Sequence, residues 1–124
     1  MDGVSVYDLY QRGSELLEHG DYQAAIVPLT RARDLEPGKA SIREALGRAL
    51  FHARRYESAA AEFRAVATNT PTNDYALFCL GRSMQLLGRH REACQPLALA
   101  CSLRPERADY RLYRDRARRA ARRS

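Results

Sequence analysis

REALGRALFHARRYESAAAEF, Arg43 to Phe63, is built of helix-forming residues except for Gly47. Glycine inside a helix costs about 1 kcal/mol relative to alanine, so one retained there points to a packing demand. Apolar residues keep helical spacing on either side of Arg54-Arg55. The stretch therefore reads as two helices joined by a short turn.

The glycine recurs. Gly13, Gly47 and Gly81 are 34 residues apart, as are Ala25, Ala59 and Ala93, and Pro37, Pro71 and Pro105. Bulky residues hold the same interval at Leu29, Phe63 and Leu97 and at Leu16, Leu50 and Met84, and small ones at Ala32, Val66 and Ala100. A fixed period of this length is the signature of a repeat architecture, and it decides the fold before any helix is drawn. Breaks at Gly20-Asp21, Arg54-Arg55 and Gly88-Arg89 and at each late proline divide every period into two helices. The spacing predicts helices over 6–19, 22–35, 40–53, 56–68, 74–87 and 90–103, and a seventh over 108–122. Gly47 is expected to remove a side chain where Ala59 of the second helix approaches, with Phe63 filling the space one turn further on. Pro71 ends that helix, because the residue before a proline is pushed out of helical geometry.

The pattern resembles the tetratricopeptide repeat family, whose 34-residue helix-turn-helix units carry a Leu-Gly pair, a later aromatic or leucine, an alanine, a phenylalanine and a terminal proline. The middle unit offers Leu46, Gly47, Leu50, Ala59, Phe63 and Pro71, and the third Leu80, Gly81, Met84, Ala93, Leu97 and Pro105. The first has Leu9, Gly13, Leu16, Ala25, Leu29, Ala32 and Pro37, with Arg12 where the leucine before the glycine belongs. Arg43 occupies the early aromatic slot of the second unit, beside Ile42, which could fill it after a small rotation. The resemblance implies an all-α, right-handed α-solenoid: one domain over 1–124, with repeats at about 6–39, 40–73 and 74–107 and a capping helix at about 108–122. Pro28 and Pro96 fall at matching places early in their helices. An interior proline costs about 3 kcal/mol, so the expectation is a late helix start that keeps each near the first turn.

In repeats of this kind the first helices line a concave groove. The resemblance places there Tyr7, Tyr10, Ser14 and Leu17 from the first unit, Glu44, Arg48, Phe51 and His52 from the second, and Tyr75, Phe78, Arg82 and Gln85 from the third. Tyrosine and arginine are enriched at binding hot spots. Arg48 and Arg82 lie one period apart and suit acidic groups of a protein or peptide partner. The family's lysine and asparagine clamp for chaperone carboxyl termini is absent, its places being held by Tyr10, Ser14, Ala45, Tyr75 and Cys79.

Charge is uneven. Residues 1–103 hold twelve basic and twelve acidic side chains, whereas 104–124 hold nine arginines and three acids, so the whole net charge of +6 lies in the segment that carries the last helix. As a cap, that helix would cover the third unit with Tyr110, Tyr113, Ala117 and Ala120 or Ala121 and turn its arginines to water. As an electrostatic anchor, the alternative, it would bind nucleic acid or an anionic membrane through Arg114, Arg116, Arg118, Arg119, Arg122 and Arg123. A homo-oligomer formed through either end of the stack is a further option.

Other functions find little footing. His19, His52 and His90 are scattered, and no HExxH motif, phosphate loop or paired nucleophile and base occurs. Neither an enzyme nor a metal or other cofactor is expected. Cys79, Cys94 and Cys101 read as small buried apolar residues of a reducing compartment, since Cys94 and Cys101 would stand about 10 Å apart along one helix. No apolar run reaches the length of a bilayer span, and MDGVSVYDLY lacks the features of a signal peptide, so a cytoplasmic location is expected. One lysine, Lys39, against twenty arginines suggests a GC-rich bacterial genome.

Overall fold

The computed structural model describes residues 4–123; residues 1–3 and 124 of the expected domain lie outside the described residues. Among the described residues there are seven helices and no strand: α1 Val6–Glu18, α2 Tyr22–Leu35, α3 Ala40–His52, α4 Tyr56–Asn69, α5 Asp74–Leu86, α6 His90–Leu103 and α7 Ala108–Arg123. Every bound falls within a residue or so of the periodic expectation. The chain forms two compact units, 1–62 and 63–124, with the division inside α4.

In the first unit α1 and α2 form an antiparallel hairpin and α3 packs on both. Ser5 caps α1 by accepting from the Asp8 amide through its side-chain oxygen. The hairpin turn ends α1 with a left-handed residue, Gly20 at φ +81°, while the Asp21 amide reaches back to the Leu16 carbonyl at 2.9 Å. This is the Schellman arrangement, in which two otherwise orphaned carbonyls are satisfied. Leu9, Ala32 and Ile42 make a buried cluster with Val4, Val6 and Tyr10 against it.

The second unit repeats the hairpin with α5 and α6, and α7 packs on both. Asn73 caps α5, Gly88 takes the left-handed turn position at φ +79°, and the Arg89 amide donates to the Met84 carbonyl at 2.9 Å. Phe63 is fully buried and meets Tyr75 edge-on with ring centroids 6.1 Å apart. Leu77, Ala100, Cys101 and Tyr110 form the core beneath α7.

The partner of the glycine differs from expectation. A methyl at Gly13 would overlap Leu29 Cγ, and one at Gly81 would fall 2.5 Å from Leu97 Cγ. The missing side chain thus makes room for the bulky residue one turn past the alanine, since a leucine at the centre of the hairpin needs the volume. Phe63 holds that sequence position in the middle repeat.

Pro28 and Pro96 are a second correction. Both lie inside full-length helices, α2 and α6, rather than in a first turn, and both are buried. Each lacks the amide that would reach back one turn, and their helices persist because Ala25, Leu29 and Ala32, and Ala93, Leu97 and Ala100, bury the face beside them. The cysteines split: Cys101 is buried, while Cys79 and Cys94 are half-buried, and all three are free thiols.

Candidate functional site

The residues expected to line a groove fall into different environments. Tyr7 of α1 is 67% exposed, and Tyr10 one turn later is half-buried. Together with Val6, Glu36, Lys39, Ser41 and Ile42 they line a mostly apolar pocket of about 330 Å³ in the first unit. Ser14 and Glu44 are half-buried and Arg48 is exposed. Leu17 is a correction: it is 6% exposed and belongs to the core, where its side chain offers nothing to a ligand.

His52 and Phe51 also belong elsewhere. His52 stacks on Tyr22 with centroids 4.6 Å apart, and Phe51 meets Tyr56 edge-on at 5.4 Å. Tyr22 opens α2, His52 closes α3 and Tyr56 opens α4, so these rings tie helix ends together at the turns.

In the second unit the molecule covers part of the expected surface itself. Phe78 stacks on Tyr110 at 4.5 Å and meets Tyr113 edge-on at 5.7 Å. The Arg82 guanidinium lies 3.9 Å from the centre of the Tyr113 ring and donates to Gln85 Oε1 at 2.8 Å. Gln85 in turn donates from Nε2 to the Tyr113 carbonyl at 2.9 Å. Phe78, Arg82 and Gln85 are therefore occupied by α7, and Tyr75 alone of that group stays exposed, at 38%. Of the two arginines expected to meet acidic groups, Arg48 is exposed, whereas Arg82 is half-buried and lies over the Tyr113 ring.

The cap itself is as foreseen except at Arg114, which is half-buried and paired with Asp115 at 3.0 Å. Tyr110 and Ala117 are buried, Tyr113, Ala120 and Ala121 are half-buried, and Arg116, Arg118, Arg119, Arg122 and Arg123 are exposed. The Tyr110 hydroxyl donates to Asp74 Oδ2 at 2.7 Å. Burial first, and then this bond to a carboxylate, hold its pKa far above the usual tyrosine value. Asp109 in the first turn accepts from Arg107, which draws its pKa below the ordinary carboxylate range.

Sequence reasoning missed Glu62. This carboxylate is 4% exposed and receives Arg33 Nη1 on one oxygen and Arg43 Nη1, at 2.8 Å, on the other. Arg43 also donates to the Pro37 carbonyl at 2.7 Å, and Arg111 repeats that bond to the Pro105 carbonyl two periods later. The signal was present: Glu62 stands where the other repeats have Pro28 and Pro96, and Arg43 where they have Leu9 and Leu77. Two departures in one repeat compensate each other as a buried ion pair. Arg43 thus does not yield its slot to Ile42; both side chains are used, Ile42 in the apolar cluster and Arg43 at Glu62.

Among the described residues, no group of three His, Cys, Asp or Glu side chains is placed to hold a metal ion. No described helix is long and apolar enough to cross a membrane.

A family model described as Tetratricopeptide repeat matches residues 10–74, more than half of the chain. The chain belongs to the tetratricopeptide repeat family. Its fold class is the all-α solenoid of helix-turn-helix repeats. Among solved structures it is similar to the first TPR of Spaghetti (RPAP3) bound to the HSP90 peptide SRMEEVD, with a TM-score of 0.86 at 17% identity, covering 94% of this chain and 92% of that one. It is also similar to MamA from MSR-1, with a TM-score of 0.87 at 23% identity over 94% of this chain and 67% of that one. The Arabidopsis OM64 TPR domain aligns with a TM-score of 0.83 at 18% identity, over 92% and 94% of the two chains. At such identities the likeness is one of fold. No curated protein matches the sequence.

Proposed function

We propose that this tetratricopeptide repeat chain is a non-catalytic recognition module that binds a segment of another protein, chiefly through its first unit. The observation that carries the reading is Tyr7, a large aromatic side chain held 67% exposed on a helix beside an apolar pocket shared with Tyr10. An exposed tyrosine next to a preformed apolar recess offers contact area and a directional hydroxyl at little ordering cost, which is the usual make-up of a binding hot spot. Glu44 and Arg48 of α3 supply flanking charge, and Arg48 suits an acidic group on the partner. Family membership and a solved relative that holds a peptide support binding rather than chemistry. A chaperone carboxyl terminus is not the proposed ligand, because Tyr10, Ser14, Ala45, Tyr75 and Cys79 stand where the family's lysine and asparagine clamp would be.

The test is affinity capture from the native cell with the wild-type chain and with Tyr7→Ala/Arg48→Glu. Both positions are exposed, so the fold should persist, and helical circular dichroism would verify it. The expected outcome is loss of a defined set of bound proteins. An unchanged set on an intact fold overturns the reading.

A further inference from the structure

The 34-residue register permits a comparison of stacking faces. In the second unit α7 docks through Tyr110, Tyr113 and Ala117 and is received on α5 by Phe78, Arg82 and Gln85. In the first unit the positions two periods before the docking set are Ile42, Ala45 and Ala49 of α3, and all three are buried. Three periods back, the docking positions fall on α1 at Asp8, Gln11 and Glu15, and all three are exposed. One period forward, the receiving positions fall on α7 at Leu112, Arg116 and Arg119, also all exposed.

The first docking face is therefore acidic and the last receiving face basic, whereas α3 and α7 dock through apolar and aromatic side chains. A terminal face kept only for solubility needs polar groups of either sign. Here the net signs are opposite; in the register by which Tyr110 meets Phe78 and Tyr113 meets Arg82, Asp8 falls on Leu112 and Gln11 on Arg116, with Glu15 one turn further along α1. Leu112, 44% exposed, gives the arginine face an apolar centre. The aromatic side chains of α7 are turned into its own unit, Tyr110 and Tyr113 against Phe78, so none is left to stack on bases or to enter a bilayer.

The geometry points to head-to-tail association of this chain, in which Asp8, Gln11 and Glu15 on α1 of one copy seat on Leu112, Arg116 and Arg119 on α7 of another. The contact joins two different surfaces, so it is heterologous and leads past the dimer to a closed ring or an open chain. The opposed net charges of the two faces draw the copies together and make the contact salt-sensitive.

Sedimentation velocity of the whole chain tests this. The wild type should show an average mass that climbs with concentration at about 50 mM salt and returns to that of one chain near about 500 mM, where screening is within a few ångströms. Arg116→Glu/Arg119→Glu and, on the opposite face, Asp8→Arg/Glu15→Arg should each raise the half-association concentration by about tenfold or more. A mixture of the two should associate again, since reversed α7 then meets reversed α1. Arg116 also lies over the Tyr113 ring, so the α1 variant keeps the test valid if the α7 variant is destabilised. A wild type that stays a single chain at low salt, reversals without effect, or a mixture that fails to recover overturns the proposal. So does salt-sensitive binding of duplex DNA by a chain that never self-associates, which would assign the arginine face to phosphates.

Discussion

The hairpins α1–α2 and α5–α6 share an interior and differ in their cover. Each has a glycine facing a leucine one turn past an alanine, a buried proline within its second helix, and a left-handed glycine in its turn. Over α1 lies α3, which brings Ile42 to an aliphatic cluster and Arg43 to a buried carboxylate. Over α5 lies α7, which brings a tyrosine pair, a cation on a ring and a hydroxyl-to-carboxylate bond. The repeated interior makes the hairpin, and the variable cover changes what lies against the first helix. In both hairpins the position of Tyr7 and Tyr75 stays exposed and that of Tyr10 and Phe78 is half-buried, but the neighbours of the latter change from an aliphatic cluster to a tyrosine pair.

The largest effect should come from breaking the shared interior. Leu97→Ala is expected to cost about 2–5 kcal/mol in chemical denaturation. Adding Gly81→Ala should restore part of it, because the new methyl enters the space the leucine vacates. If the double variant is the less stable of the two, the glycine and leucine do not share that volume.

The ionic part of the first cover comes next. Glu62→Leu should cost about 3 kcal/mol by leaving Arg33 and Arg43 facing an apolar side chain. Arg43→Leu/Glu62→Leu, which approaches the composition of the other repeats, should recover most of that loss. A double variant as unstable as the single would show that the Arg43–Glu62 pair is not the unit of compensation.

For the aromatic cover, Tyr110→Phe should lower stability by about 1.5–2 kcal/mol, the contribution of a hydrogen bond to a charged group. The raised pKa of Tyr110 fixes the sign of its pH dependence. The folded state holds the phenol neutral, so this contribution is full below the unfolded value of about 10 and falls as pH rises past it. Alkaline melts should therefore separate wild type from Tyr110→Phe less as pH climbs above about 10. A gap that widens instead would contradict the assignment.

The smallest effect concerns the turns. Arg54, at φ +65°, holds the place that Gly20 and Gly88 hold in the other hairpins. Arg54→Gly should relieve about 1 kcal/mol of left-handed strain and raise the melting temperature slightly. A lower melting temperature would mean that the arginine side chain contributes more than its backbone costs.

Fold and site were legible in the sequence to different depths. Periodicity located every helix, because the 34-residue repeat of glycine, alanine and proline marks the hairpins and their breaks independently of neighbours. It also identified Tyr110, Tyr113 and Ala117 as the inner side of the cap, since helical spacing alone separates them from the arginines. It misassigned the partner of the glycine, because pairing across a hairpin depends on side-chain volume as well as on register. It also passed over Glu62, whose meaning appears only when its position is read together with Arg43.

By itself the sequence determined an all-helical repeat chain, the bounds of its hairpins and the concentration of positive charge in its last helix. These follow from local preferences and from a period that recurs without reference to distant contacts. Only the tertiary structure decided which first-helix side chains are open, that Leu17 is core, and that the last helix lies over Phe78, Arg82 and Gln85. Exposure is a property of what packs above a residue, and equivalent positions in a repeat acquire different neighbours whenever the covering helix changes.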